Sequence, residues 1–171
     1  MKNKITRRQI LAIGAASTAS IVISASATAY SWWRISPADN YVSINKIEAA
    51  FITAFAGAAY PAGDACSLDG SAAGLDRFFD QMLTNMEGSN RNQVKVLVNL
   101  VDVLPMTNHF CRFSALKRTT QTEILHQWLA AEQHLIRNAV LSLVTILGMG
   151  YTAHPEASKI IEQYHNCGFG A

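Results

Sequence analysis

From Ile44 to Leu147, apolar side chains recur at steps of three and four and never sustain a two-residue alternation, so the chain is built for helices. An α-helix turns once in 3.6 residues, and such steps line one stripe along it, whereas a half-buried strand needs period two. One stripe is Ile44, Ile47, Phe51, Phe55 and Ala58; a second is Leu75, Phe78, Phe79, Met82 and Leu83. A third, from about Asn92, is Val94, Leu97, Val98, Val101 and Leu104. The fourth begins with Ile124, Leu125, Trp128 and Leu129 and continues its period through Ile136, Val140, Leu143 and Leu147. Pro61 and Pro105 close the first and third, since proline disfavours helix in the residue before it. Gly88 stops the second, and the Gly-, Ser- and Asp-rich piece from Pro61 to Gly74 is a loop.

Ser43 is placed to cap the first helix. Thr120-Gln121-Thr122-Glu123 has the form of a capping box for the fourth. Residues 138–153 contain no charge, and this run, shorter than a bilayer span, predicts a buried central helix ended by Gly148 and Gly150. A short helix from Pro155 to Tyr164 follows. Phe78, Phe79, Phe110 and Phe113 are core or contact surface, and the core is the expected place. The expected fold is all-α, a single compact bundle of five to six helices over residues 43–171, preceded by a linker at 30–42.

Residues 1–29 have a different character. Lys2, Lys4, Arg7 and Arg8 precede a run without charge from Gln9 to Trp33, and no acidic residue occurs before Asp39. A basic start, an apolar middle and small residues near a cut site are the three parts of an export signal. Thr6, Arg7, Arg8, Ile10 and Leu11 resemble the twin-arginine motif, an address read on chains that cross already folded. Ala27 and Ala29 fit the small-x-small cleavage pattern, with Ala25 and Ala27 as a second choice. The alternative is a retained anchor, because Ile10 to Ala29 is long enough to span a bilayer. No basic patch continues downstream, so nucleic acid is not an expected partner.

The whole chain has 14 Lys+Arg against 12 Asp+Glu; without the four cations of the signal, 10 face 12 and the remaining body is near −2. Its charge fraction is low, at 15%, which hints at a surface covered by something else. Cys66, Cys111 and Cys167 allow one disulfide in an oxidising compartment, with one thiol left over. No CxxC, HxxxH or CxxCH occurs, and no GxGxxG, GxxxxGK or GxSxG. His126 and His134 stand eight apart without a carboxylate to orient them and are expected to be surface or packing residues. His154, before Pro155, suits a turn or a cap. Asp76 and Asp80, with Arg77 between, look like a solvated helix face. The expectation is therefore no catalytic, cofactor or metal residue. An export address on a chain without chemistry of its own points to a partner that carries the cofactor.

Several stretches resemble the gluconate 2-dehydrogenase subunit 3 family, the small subunit of membrane-associated flavin dehydrogenases. They are the helix and corner from Phe51 to Asp64, Gly74-Leu75-Asp76-Arg77-Phe78-Phe79-Asp80, Phe113-Ser114-Ala115-Leu116 before the Thr120–Trp128 helix, and Met149-Gly150-Tyr151-Thr152-Ala153-His154-Pro155-Glu156. The tail Cys167-Gly168-Phe169-Gly170 departs from the family's Gly-Tyr-x-Gly ending. The resemblance implies a large FAD-binding partner of the glucose–methanol–choline type, which oxidises an alcohol or sugar, and in some complexes a multihaem cytochrome c subunit. It implies that the small subunit binds no cofactor and is no enzyme by itself. Its role would be to escort the signal-less flavoprotein through the twin-arginine machinery and stabilise it in the periplasm. Membrane association would come through the partner or an uncleaved N-terminal segment. Other readings are a stand-alone exported helical enzyme using His126, His134 or a cysteine, and a transient assembly chaperone or anchored scaffold.

Overall fold

Asn45, and not Ser43, starts the first helix. In the computed structural model, which describes residues 37–38, 40–63 and 66–160 and the backbone alone of 161–164, helix α1 spans Lys46–Ala59. Asn45 Oδ1 accepts the N–H groups of Ile47 and Glu48, each at 2.9 Å, and Glu48 Oε2 accepts Asn45 N–H at 2.9 Å. That reciprocal pair satisfies donors that a helix start leaves open. Ser43 instead sets its hydroxyl 2.9 Å from that of Thr84.

The remaining helices are α2 (Leu75–Thr84), α3 (Gly88–Val103), a single turn α4 (Met106–His109), α5 (Arg118–Leu129), α6 (His134–Thr152) and α7 (Pro155–Tyr164), with a 3-10 turn at Phe113–Ala115. Six of these have ten or more residues, and no strand occurs among the described residues, so the fold is all-α.

Several boundaries differ from the sequence expectation. Helix α3 begins at Gly88, four residues before Asn92. Helix α5 begins two residues before Thr120, with Lys117 at the N-cap and no side-chain cap, so Thr120 and Glu123 already lie inside it and form no capping box. A break at residues 130–133 separates α5 from α6. Helix α6 then runs through both Gly148 and Gly150 to Thr152. Glycine serves packing there: a Cβ on Gly150 would press into the Phe78 ring, and one on Gly148 would meet the Tyr60 hydroxyl.

The central element is α1, which packs against α2, α3, α5, α6 and the 3-10 turn. Its Phe51 and Phe55 rings lie 5.4 Å apart, each 5.8 Å from Phe113, and Phe113 stacks on Trp128 at 5.5 Å. Phe79, Leu83, Val98, Val101, Ile124, Leu125, Val140, Leu143 and Leu147 complete the core. The long apolar helix α6 is not buried all round. Val140, Leu143, Leu147 and Gly150 form one buried stripe, while Leu135, Leu141 and Met149 face outward. Among the described residues it is the one helix long and apolar enough to cross a membrane by length and composition, and that stripe is used against α1, α2, α3 and α5.

Candidate functional site

Three carboxylates, Glu48, Asp80 and Asp102, are drawn inward to hold the bundle. Asp80 is buried, and its carboxylate accepts three consecutive backbone N–H groups: Val42 at 3.0 Å, Ser43 at 2.7 Å and Ile44 at 2.9 Å. The solvated Asp76/Asp80 face expected from sequence is thus replaced by a clamp on the chain that enters α1; Asp76 accepts the Tyr41 hydroxyl. Glu48, besides its cap, takes Asn99 Nδ2 at 3.0 Å and Lys95 Nζ at 3.2 Å. Asp102 accepts Ser114 N–H at 3.0 Å and Arg112 Nη1 at 3.4 Å. Each of these buried carboxylates is matched by donors from another element, as burial of a charge requires.

The loop after α1 is tied down in the same manner. Gly70 N–H donates to Tyr60 O at 2.7 Å, and Arg118 donates from Nη2 to both oxygens of Asp69, at 3.1 and 2.8 Å. Burial alone would raise the Asp69 carboxyl, but two hydrogen bonds from Ser71, the Arg118 guanidinium and the Ala62 N–H outweigh it and hold the pKa below the ordinary value. Tyr60 and Tyr151 stack with centroids 4.7 Å apart. The Tyr151 hydroxyl donates to Leu68 O at 2.8 Å and lies 3.2 Å from Cys66 Sγ. Burial, then the Cys66 thiol, pushes its pKa up to about 12.

His126 and His109 are exposed, and His134 Nδ1 sits 2.7 Å from Arg137 Nη2. His154 Nδ1 accepts Glu156 N–H at 3.3 Å at the start of α7, the turn role its position suggested. Cys66 and Cys111 are free thiols, so they form no disulfide with one another; Cys167 is outside the described residues. No group of three or more His, Cys, Asp or Glu suited to a metal ion occurs among the described residues. The export residues Thr6, Arg7, Arg8, Ile10 and Leu11 and the cleavage residues Ala27 and Ala29 also fall outside them.

The body also presents several large apolar groups outward. Val42, Val96, Leu100, Met106, Phe110, Leu135, Leu141 and Met149 are exposed. Phe113 is in the core as expected and Phe78 is half-buried, but Phe110 is 89% exposed and does not join them. Val96 and Leu100 share one face of α3, four residues apart. On α6, Leu135, Asn138, Leu141, Ser142, Thr145 and Met149 form an outer face without charge. This face is the main feature missed from sequence, and its signal was present. A helix without charge over 16 residues cannot bury every side in a domain this small, so one uncharged side must remain open. Neither a protein-family model, nor a curated protein, nor a solved structure matches this chain.

Proposed function

We propose that this chain is a non-catalytic accessory subunit of an exported oxidoreductase complex. It carries a twin-arginine address at Thr6, Arg7, Arg8, Ile10 and Leu11 and escorts a signal-less, FAD-dependent alcohol or sugar dehydrogenase to the periplasm. There it stays bound and stabilises its partner, which a multihaem cytochrome c subunit joins in complexes of the kind it resembles. The observation that carries this reading is the set of large apolar groups of α3, α4 and α6 that point outward, while Glu48, Asp80 and Asp102 serve the bundle internally. A body arranged in that way is suited to permanent contact with another protein. The resemblance to the gluconate 2-dehydrogenase small subunits and the paired arginines supply the identity of the partner and the route.

The reading requires a neighbouring reading frame for a flavoprotein with GxGxxG and no signal of its own, and the test is export of that protein when Arg7 and Arg8 are both replaced by lysine. Its periplasmic activity and abundance fall to the level of a strain lacking this subunit if the escort role holds. Unchanged activity in the periplasm refutes it. Co-purification of the two proteins in fixed ratio after export distinguishes a subunit from a chaperone that leaves.

A further inference from the structure

Asp69-Gly70 is the one Asp-Gly step in the chain, and Asn-Gly does not occur. An aspartate followed by glycine is a pair in which a protein backbone readily rearranges, because no Cβ hinders the glycine nitrogen as it attacks the aspartate side chain. The new bond joins that nitrogen to Cγ, the carboxyl hydroxyl leaves as water with the amide proton, and a five-membered succinimide closes. Water then breaks the bond between the same nitrogen and the aspartate's main-chain carbonyl carbon. The product is isoaspartate, in which the backbone runs through the side chain and is one methylene longer. Packing dictates the glycine here: a Cβ on Gly70 would press into the Ala56 carbonyl of α1.

Both reacting groups are bonded elsewhere in the fold. Gly70 N–H donates to Tyr60 O at 2.7 Å, while Asp69 O, across the same peptide, accepts Ala72 N–H at 2.9 Å. The peptide plane is thus held at both of its polar atoms, and ring closure has to turn it. The carboxylate is held as well. Oδ1 accepts the Ser71 N–H at 2.9 Å and the Ser71 hydroxyl at 2.5 Å, and Arg118 Nη2 donates to Oδ2 at 2.8 Å. Burial would raise the carboxyl's pKa, but Ser71, Arg118 and Ala62 outweigh it, so the protonated form that supplies the leaving hydroxyl is scarce. Arg118 reaches this place across α1 at Gly57, where a Cβ would collide with its guanidinium. Gly57, Arg118 and Asp69 therefore make one latch, and Gly70 beside it is buried.

We propose that Asp69-Gly70 is a succinimide-forming site kept closed by the Gly57–Arg118–Asp69 latch and the Gly70–Tyr60 hydrogen bond, so that opening of this loop converts Asp69 to isoaspartate. The longer backbone cannot return Gly70 to its seat against Ala56, which makes the change a one-way mark on chains whose loop has opened. This chemistry is the same whatever partner the chain serves. The full chain is incubated for days at neutral pH as wild type, Arg118→Gln, Gly57→Ala and Leu143→Ala, with wild type in urea as the open reference. Isoaspartate is measured by enzymatic methylation of its free α-carboxyl and located by peptide fragmentation. Folded wild type is expected to convert at least about tenfold more slowly than the urea-unfolded chain. Arg118→Gln and Gly57→Ala should each speed conversion of the folded protein about threefold, the effect of losing a half-exposed ion pair on local opening. Leu143→Ala loosens the core without touching the latch, and well below its Tm it should convert like wild type. Folded wild type converting as fast as the unfolded chain overturns the proposal, as does an unfolded chain that forms no isoaspartate at residue 69. Latch variants that convert at the wild-type rate overturn it too, and so does Leu143→Ala converting as fast as they do. If Arg118→Gln does not fold, Gly57→Ala, which removes no donor and no charge, decides alone.

Discussion

Asp80 gathers the N–H groups of Val42, Ser43 and Ile44 on one carboxylate, 36 to 38 residues away in sequence. Oδ1 takes the two buried donors and Oδ2 the third, which belongs to exposed Val42. The two oxygens should therefore differ in worth. Asp80→Ala orphans two buried N–H groups and is expected to lower unfolding free energy by about 3 kcal/mol. Asp80→Asn can keep the Oδ1 bonds and should lose about 1 kcal/mol. Urea unfolding of both variants checks the ratio; equal losses would remove the clamp. Periodicity placed Asp80 on a helix but gave no means of seeing this partner, because hydrogen bonds at such separation leave no local pattern. Phe110 was hidden for a related reason. Nothing in Asn108-His109-Phe110-Cys111 announces the left-handed backbone of Phe110, at φ 56°, and the usual sign, glycine, is missing.

Helices were visible in outline because each carries a sustained apolar stripe, but their ends follow contacts that the stripe does not contain. Thr120 to Glu123 has the spacing of a capping box, yet Gln121 Nε2 donates to Phe113 O at 3.0 Å and to Leu116 O at 2.9 Å. Those bonds fasten α5 to the preceding 3-10 turn and bring its start forward to Arg118. The two helix starts therefore respond differently to mutation. Asn45→Ala is expected to cost about 1–2 kcal/mol, since its cap is buried, and Thr120→Ala should stay within about 0.5 kcal/mol. Comparable losses at both sites would restore the capping box. Helix α6 offers a second contrast, between its sides. Leu143→Ala opens a cavity in the core and should cost about 3 kcal/mol. Leu141→Lys, on the outer face, should leave the free protein's unfolding free energy within about 0.5 kcal/mol of wild type. A large loss at Leu141 would mean that the outer face is packed.

Taken as one body, the bundle depends on a loop that no apolar stripe predicts: Tyr60 and Leu68, after α1, hold it to α6 through Tyr151. The Tyr60 hydroxyl donates to Val144 O, and the Tyr151 hydroxyl reaches back to Leu68 O and Cys66. This joint gives stability a definite dependence on alkali. Tyr151 releases its proton at about 12 in the fold and at about 10 in an unfolded chain. Below pH 10 both states are protonated and the contribution is complete. Between about pH 10 and 12 the unfolded chain alone loses the proton, so stability falls as pH rises. Burial raises the Tyr60 hydroxyl and acts in the same sense. Tyr151→Phe should be less stable at pH 8 by about 1 kcal/mol, having lost a hydrogen bond. Its alkaline decline should also be shallower, so that the gap between the two proteins closes between pH 10 and 12. Unfolding curves at pH 8, 10, 11 and 12 measure both terms, and parallel curves across that window would show that the hydroxyl is free to ionise and the joint is open. The acid side has an opposite sign through Asp69, whose lowered pKa contributes above about pH 4 and is lost as the carboxyl protonates. With both partners about one-third exposed, that limb should shrink in high salt, whereas the alkaline limb, set first by burial, should not.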